Sequence, residues 1–332
     1  MDRPTFSKDA LTLDAAREAE RISAAIRDMV FRALRRRGAV VGLSGGVDSS
    51  VVAALCVGAL GKDRVLGLLM PEAESAPDAL ALGRLLAERL GIAAIVEDIT
   101  PILTAAGCYR RRDEAIRTVI PDYALGWKSK LVVSNILDHD RFKTCSLVVE
   151  SPDGTQRRAR LPADAYLAVL AATSFKQRAR KMLEYHHADR LQYAVAGTPN
   201  RPEYDQGFFV KNGDGAADLK PIAHLYKTQV YQLADFLDIP EDILRRPPTT
   251  DTYSLPQSQE EFYFSVPYDI LDLCLYAIDH GVSPPDAAAA TNLTHEQVRR
   301  VYRDIRSKRH ANRYLHLAPL LVGYAPRHSA SA

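Results

Sequence analysis

Two glycines, two serines and an aspartate crowd into residues 44–49, Ser-Gly-Gly-Val-Asp-Ser. Gly45 and Gly46 let the backbone approach a ligand closely and take conformations closed to other residues. A helix starting directly after them would offer unpaired N–H groups and a positive dipole end, which suits phosphate oxygens. Ser44 and Ser49 add hydroxyl donors, and Asp48 is suited to holding Mg²⁺ rather than phosphate. No GxxxxGK[ST] pattern occurs, so this is not the usual phosphate-binding loop. At average composition, the five fixed positions arise by chance in such a chain about once in several thousand. A purely structural turn accounts for the glycines but not for the aspartate and both serines. The stretch reads as a pyrophosphate loop.

Such a loop needs a strand behind it and a helix ahead. Ala39–Leu43 reads as a short buried strand and Ser49–Leu60 as a helix ending at Gly61. A helical pattern over 14–36 precedes them. Strands at Val65–Met70 and Ile92–Ile99 flank a helix over Pro77–Leu90, and Tyr193–Gly197 reads as a further strand. This alternation predicts an α/β fold, a doubly wound parallel sheet with flanking helices. The loops SGGVDS, MPEAES and GTPNRPE all follow strands, so they should share one rim, where ligands sit in such sheets. The whole chain, 1–332, is expected to be a single domain. Within it, 123–172 breaks the rhythm and reads as an excursion holding a two-stranded hairpin turned at Pro152-Asp153-Gly154. Residues 245–259 are rich in Pro, Thr, Ser and Gln and read as a loop. A helical tail is expected over 284–317, with Thr294 and Gln297 at capping-box spacing.

The formal net charge of +2 gives no support to general nucleic-acid binding. Basic runs at Arg35–Arg37, Arg110–Arg112 and Arg157-Arg158 are readable as solvated helix ends and a loop. Cys56, Cys108, Cys145 and Cys274 show no CxxC spacing, which argues against a zinc site, a disulfide scaffold or a thiol sulfur carrier. No apolar run approaches membrane-spanning length, and the opening residues lack a signal core, so a cytoplasmic protein is expected.

SGGVDS resembles the pyrophosphate loop of the N-type ATP pyrophosphatases, an adenine nucleotide alpha hydrolase-like group. A second block, residues 196–251, is similar to the NAD synthetase family in GTPNRPE, GFFVKNGDGAAD, PIAHLYKTQ and PTTD. The similarity covers roughly 14–110 and 171–310. It implies a homodimer that adenylates the nicotinate carboxylate of deamido-NAD with ATP and replaces AMP by ammonia. Carried over by motif position, Asp48 and Glu203 would hold Mg²⁺. Thr198, Lys227 and Thr249 would contact ATP together with Ser44, Gly45, Gly46 and Ser49. Asp48 and Lys227 would carry the catalysis, with Lys227 neutralising phosphate charge. Arg178, Lys211 and Asp218 match positions that contact deamido-NAD. No protein nucleophile is needed, because the substrate's own carboxylate attacks, so positioning and electrostatics should do most of the work.

Competing readings stand beside these. Lys211 and Asp218 could be surface residues of a glycine-rich loop, and Arg178 one of several solvated cations in FKQRARK. His186 and His187 have no metal-ligand partner at fitting spacing and read as structural, and Tyr263 and Phe264 read as core aromatics. The family pattern is broken at Ser174, where asparagine is usual, over TYSLPQSQEEFYF, and near the end, where His310 is followed by Ala311. Those departures leave open an enzyme amidating a different carboxylate, or a non-catalytic nucleotide-binding regulator. With no Cys-Gly-Ile-type amidotransferase stretch in the sequence, free ammonia is the expected donor and a separate glutaminase the alternative.

Overall fold

Val40, Val41, Leu66, Leu68 and Val195 are buried, and their near-continuous apolar runs are what a sheet covered on both faces requires. The structure, a computed structural model, describes residues 6–137, 145–250 and 252–322. Asp251 of the PTTD motif and residues 142–144 at the start of the expected hairpin lie outside them.

In chain order the elements are α1 (Ala15–Arg27), β1 (Ala39–Gly42), α2 (Val47–Leu60), β2 (Val65–Leu69), α3 (Ala79–Leu90), β3 (Ala93–Val96), α4 (Thr100–Ala105) and α5 (Cys108–Arg117). Then come β4 (Lys128–Val133), β5 (Cys145–Glu150), β6 (Gln156–Arg160), α6 (Ala163–Leu191), β7 (Ala194–Ala196) and α7 (Arg201–Gln206). The chain continues with α8 (Lys227–Phe236), α9 (Glu241–Leu244), α10 (Tyr268–Asp279), α11 (Pro284–Thr291) and α12 (His295–Ala311).

The main sheet is parallel, in the order β3-β2-β1-β7. Strands run outward from β1 through β2 to β3, and β7 then joins β1 on its other side. The switch point therefore lies between the carboxyl ends of β1 and β7. α1, α2 and α8 cover one face, and α2 is apolar nearly all round because it lies between β1, β2, α1, α3 and α8. On the opposite face, Val40, Leu68 and Val195 pack against Ile99, Leu103 and Ala188 from α4, α6 and their approaches. Truncating a fully buried side chain such as Leu68 to alanine should cost about 2–5 kcal/mol.

α6 runs for 29 residues, about 44 Å, so one helix carries residues from the excursion to the floor of β7. It ends at Gln192, which takes the left-handed conformation at φ 57°.

The excursion differs from the two-stranded expectation. β5 and β6 form the hairpin over 151–155, with Gly154 at φ 85°, but β4 pairs antiparallel with β5 to make three strands. Lys128 and Lys130 disguise β4 as a loop, because only its Ser129–Leu131 face is buried. The last ten residues of the expected excursion already belong to α6. α1 also stops sooner than the pattern over 14–36 suggests, passing into a wider turn at Asp28–Ala33 before Arg35 takes φ 52°. At the other end, α10, α11 and α12 share a second apolar cluster through Leu271, Cys274, Val298 and Ile305. The Thr294–Gln297 capping box is formed.

Candidate active site

The loop after β1 owes its shape to Gly45, at φ 74°. A Cβ there would also lie 2.8 Å from the Ala79 carbonyl oxygen, so conformation and space both demand glycine. Gly46 is extended and caps α2. Around it, Ser44 Oγ accepts from the Gly46 N–H (3.3 Å) and lies 3.1 Å from Ser49 Oγ. Ser49 and Ser50 both donate to the Gly46 carbonyl at 2.9 Å. Arg246 closes over the loop, donating to the Ser44 carbonyl (3.3 Å) and pairing with Asp78 (3.2 Å).

Asp48 lies in the first turn of α2 and reaches across the switch point. Its Oδ1 accepts from Asn200 Nδ2 at 3.1 Å, and its Oδ2 pairs with Lys227 Nζ. Asn200 caps α7 and forms a reciprocal box with Glu203, each side chain 3.1 Å from the other's N–H. The local sequence Asn-Arg-Pro-Glu thus fixes Glu203 beside Asp48. Gln259 Nε2 donates to the remaining Glu203 oxygen at 3.0 Å. Lys227 opens α8, whose first turn is held by Asp272 accepting from the Thr228 N–H at 2.7 Å.

Buried Glu203 and half-buried Asp48 face one buried ammonium here. Burial, and then the charge of Asp48, push the Glu203 carboxyl up to about 8, against the pull of Lys227. Burial works against the Lys227 charge, but Asp48 and Glu203 together hold its pKa above the ordinary value.

These groups open into a cavity of about 690 Å³. It is lined by Ser44, Gly46, Asp48, Ser49, Thr198, Glu203, Lys227 and Thr249, and also by Arg178 and Lys211. Arg178 Nε donates to the Lys211 carbonyl at 3.3 Å, and Lys211 Nζ donates to the Tyr314 carbonyl at 2.9 Å. Asp218 is placed differently. It is not among the lining residues; its oxygens accept from the Val195 N–H (2.8 Å) and the Tyr185 hydroxyl (3.3 Å). His310 is exposed in the last turn of α12, and Asn312 and Tyr314 line the wall instead. His187 binds Glu97 (2.9 Å) and Arg190 (2.9 Å). Phe264 is core, while Tyr263 both packs against it and lines the cavity.

Motif and spacing alone do not single out Asn200, Gln259 or Arg246. Asn200 and Arg246 lie inside the block 196–251, which is a signal for these two. Gln259 has no such signal.

The family model for NAD synthase matches residues 18–119 and 154–314, leaving 120–153 between the two stretches. An NH(3)-dependent NAD(+) synthetase of Rhizobium meliloti is 59% identical over 321 residues, covering 97% of this chain and 96% of that protein. One from Thermotoga maritima is 42% identical over 243 residues, covering 73% and 80%. Among solved structures, NMN synthetase from Francisella tularensis superposes with a TM-score of 0.66 at 20% identity, covering 94% of this chain and all of that one. NH3-dependent NAD synthetase from Campylobacter jejuni gives 0.60 at 21%, covering 93% and 100%. These two likenesses speak for the fold, and the family match and the close relatives go further: the chain belongs to the NAD synthase family.

Proposed function

We propose that the protein makes NAD from deamido-NAD, ATP and ammonia. The nicotinate carboxylate attacks the α-phosphorus, pyrophosphate leaves, and ammonia then displaces AMP from the acyl adenylate with loss of one proton. The observation that carries this reading is the meeting of Asp48, Glu203 and Lys227 under the SGGVDS loop at the switch point. The Rhizobium relative, matched over nearly the whole chain, supports the choice of NAD as product and of ammonia as donor.

Mg²⁺ fits the donor set. Among the described residues there is no cluster of three or more metal-ligating side chains, but Mg²⁺ with a nucleotide needs only one or two carboxylates beside water and phosphate oxygens. Asp48 and Glu203 supply two, facing the single ammonium of Lys227. Bound there, the ion would offset charge on the phosphates while two anions are brought together.

The other roles follow from position. The α2 N-terminus with Ser44 and Ser49 holds the β- and γ-phosphates that leave as pyrophosphate. Lys227 neutralises charge developing on them. Thr198 and Thr249, both lining the cavity, bind ATP. Arg178 and Lys211, also lining it, receive the anionic acid. Asp218, behind the lining, supports that region by holding the Val195 N–H of β7. The chain works as one catalytic unit, with the excursion and the helical tail as parts of it, and as a homodimer in solution.

The test incubates the protein with ATP, Mg²⁺, ammonium and deamido-NAD and measures NAD, AMP and pyrophosphate together. All three should appear in equal amounts. Folded protein that yields no NAD overturns the reading. Pyrophosphate release driven by another acid would favour amidation of a different carboxylate, a reading that the serine at 174 motivates. Glutamine supporting turnover as well as ammonium would refute direct use of free ammonia.

A further inference from the structure

Residues 120–153, which the family pattern passes over, supply β4 and β5. The free edge of β4 is covered by the segment that follows the Pro-Pro-Thr-Thr loop. The Ser129 N–H donates to Ser254 Oγ (2.9 Å), and the Leu255 N–H donates to the Ser129 carbonyl (3.2 Å). Further along, the side-chain amide of Gln257 donates to the Leu131 carbonyl, and Lys130 reaches both the Pro256 carbonyl (3.2 Å) and Glu261 (2.9 Å). Beneath these bonds Leu131, Leu147 and Val149 bury Tyr253 in the core of the three-stranded sheet. Residues 253–257 are thus seated on the insert as a ragged fourth strand.

That seating has a consequence at the cavity. The segment folds back through the Thr249–Ser258 bridge and a bond from the Gln259 N–H to the Pro248 carbonyl (3.2 Å). Gln259 then stands between two buried groups: its Nε2 donates to Glu203 Oε1 at 3.0 Å, and its Oε1 accepts from the Tyr268 hydroxyl. Glu203 Oε2 is fixed by its own helix cap, whereas Oε1 has Gln259 as its donor.

We propose that Gln259 is a positioning residue for Glu203, and that the inserted sheet holds it in place through Gln257 and the strand-like segment on β4. The proposal rests on the reading of Glu203 as a metal-holding carboxylate. Partners of this kind orient a ligand without touching the metal, and losing one typically weakens metal affinity about 10–100-fold.

The test measures Mn²⁺ binding by electron paramagnetic resonance in the presence of a non-hydrolysable ATP analogue, with a thermal melt of each variant. Gln259→Met fills the same space without the amide. It should weaken Mn²⁺ binding about 10–100-fold, and a single cooperative melt, lowered by the unpaired Tyr268 hydroxyl, should show that the variant folds. Gln257→Ala should weaken it in the same direction, and the double variant should bind no worse than Gln259→Met, because both act through one carboxylate. Wild-type affinity in Gln259→Met, with Glu203→Gln impaired, overturns the positioning role alone. Wild-type affinity in Glu203→Gln overturns the metal reading and the proposal with it. Should Gln259→Met not fold, Gln257→Ala decides: unchanged Mn²⁺ affinity there overturns the proposal.

Discussion

Two buried ion clusters lie on either side of the cavity wall, and they are built on opposite plans. Behind the wall, Lys176 directs its three N–H bonds to Glu72 (2.8 Å), Glu74 (2.8 Å) and the Thr252 carbonyl (2.7 Å). Arg112 pairs with Glu74 (2.5 Å) and Asp113 (2.8 Å), and the Tyr109 hydroxyl donates to Glu72 (2.6 Å). Burial works against the Glu74 charge, yet Lys176 and Arg112 outweigh it and keep that carboxyl below its usual range. None of Glu72, Glu74, Lys176 and Arg112 lines the cavity. On the near side, Asp48 and Glu203 share one lysine, all three line the cavity, and Glu203 is pushed up to about 8. A cluster closed on itself ties loops together; one in which two carboxylates share a single lysine at an open cavity has capacity for a cationic ligand.

The comparison breaks most readily at Asp48. Asp48→Asn keeps the shape and the bond from Asn200 but removes a charge, and kcat/KM for NAD formation should fall by about 10³ or more. A thermal melt of the same variant should move little. Loss of stability in step with activity would move Asp48 into the class of Lys176.

Lys176→Met is the mirror experiment. It leaves buried Glu72 without its ammonium and Glu74 with Arg112 alone, and breaking a buried pair in this way costs about 3–5 kcal/mol. Urea unfolding should show that loss, while turnover per folded molecule falls far less than in Asp48→Asn. Stability near the parent's with turnover abolished would make the rear cluster part of the chemistry.

The near cluster is far more legible in the sequence than the rear one. SGGVDS is contiguous, and its strand–loop–helix setting follows from the apolar residues on either side. Glu203 is reachable because it stands five residues after Thr198 in the contiguous GTPNRPE stretch that the family resemblance picks out. Lys176 and Glu72 lie 104 residues apart, and Ser129 and Ser254 lie 125 apart, so neither pairing leaves a local trace. β4 escapes notice because its lysines hide a half-buried strand, and Gln259 because one amide in a polar loop looks like any other. Spacing around Gly-Asp-Gly gives no sign that Asp218 turns its oxygens to the β7 backbone, since that direction is set by how the loop docks on Val195.

A third buried carboxylate sharpens the contrast. Asp272 accepts from the Thr228 N–H but forms no ion pair among the described residues, and its Oδ1 has no hydrogen-bond partner there. Burial, opposed by the bonds from Thr228, pushes it from 3.8 up to about 6. The folded state therefore binds the extra proton between those values, so this group makes stability fall as pH rises from about 3.8 to about 6. The penalty then persists at neutral pH. Asp272→Asn keeps an acceptor for Thr228 and removes the charge. Urea unfolding should show a gain of about 1–3 kcal/mol at pH 7 and almost none near pH 4. An equal change at both pH values would show that the charge of Asp272 is not what costs stability.

At the surface the same ion chemistry should count for least. Glu18 accepts from Arg21 (2.8 Å) and contacts His224 (2.7 Å), and the Arg21 hydrogen bond, against some burial, brings its carboxyl down to about 2. A depressed carboxylate adds stability above its ordinary value of 4.5 and loses it as pH falls toward 2. Arg21 and His224 are well exposed, so water and salt screen these contacts as they do not screen buried Lys176. Glu18→Gln should therefore cost less than about 1 kcal/mol at pH 7. The difference from the parent should shrink on adding salt and shrink again as pH falls from 4.5 toward 2, where the folded carboxyl is half protonated. A loss as large as that of Lys176→Met would mean that closure of the cluster, rather than its burial, sets the energy, and the contrast between the two sides of the wall would have to be redrawn on that basis.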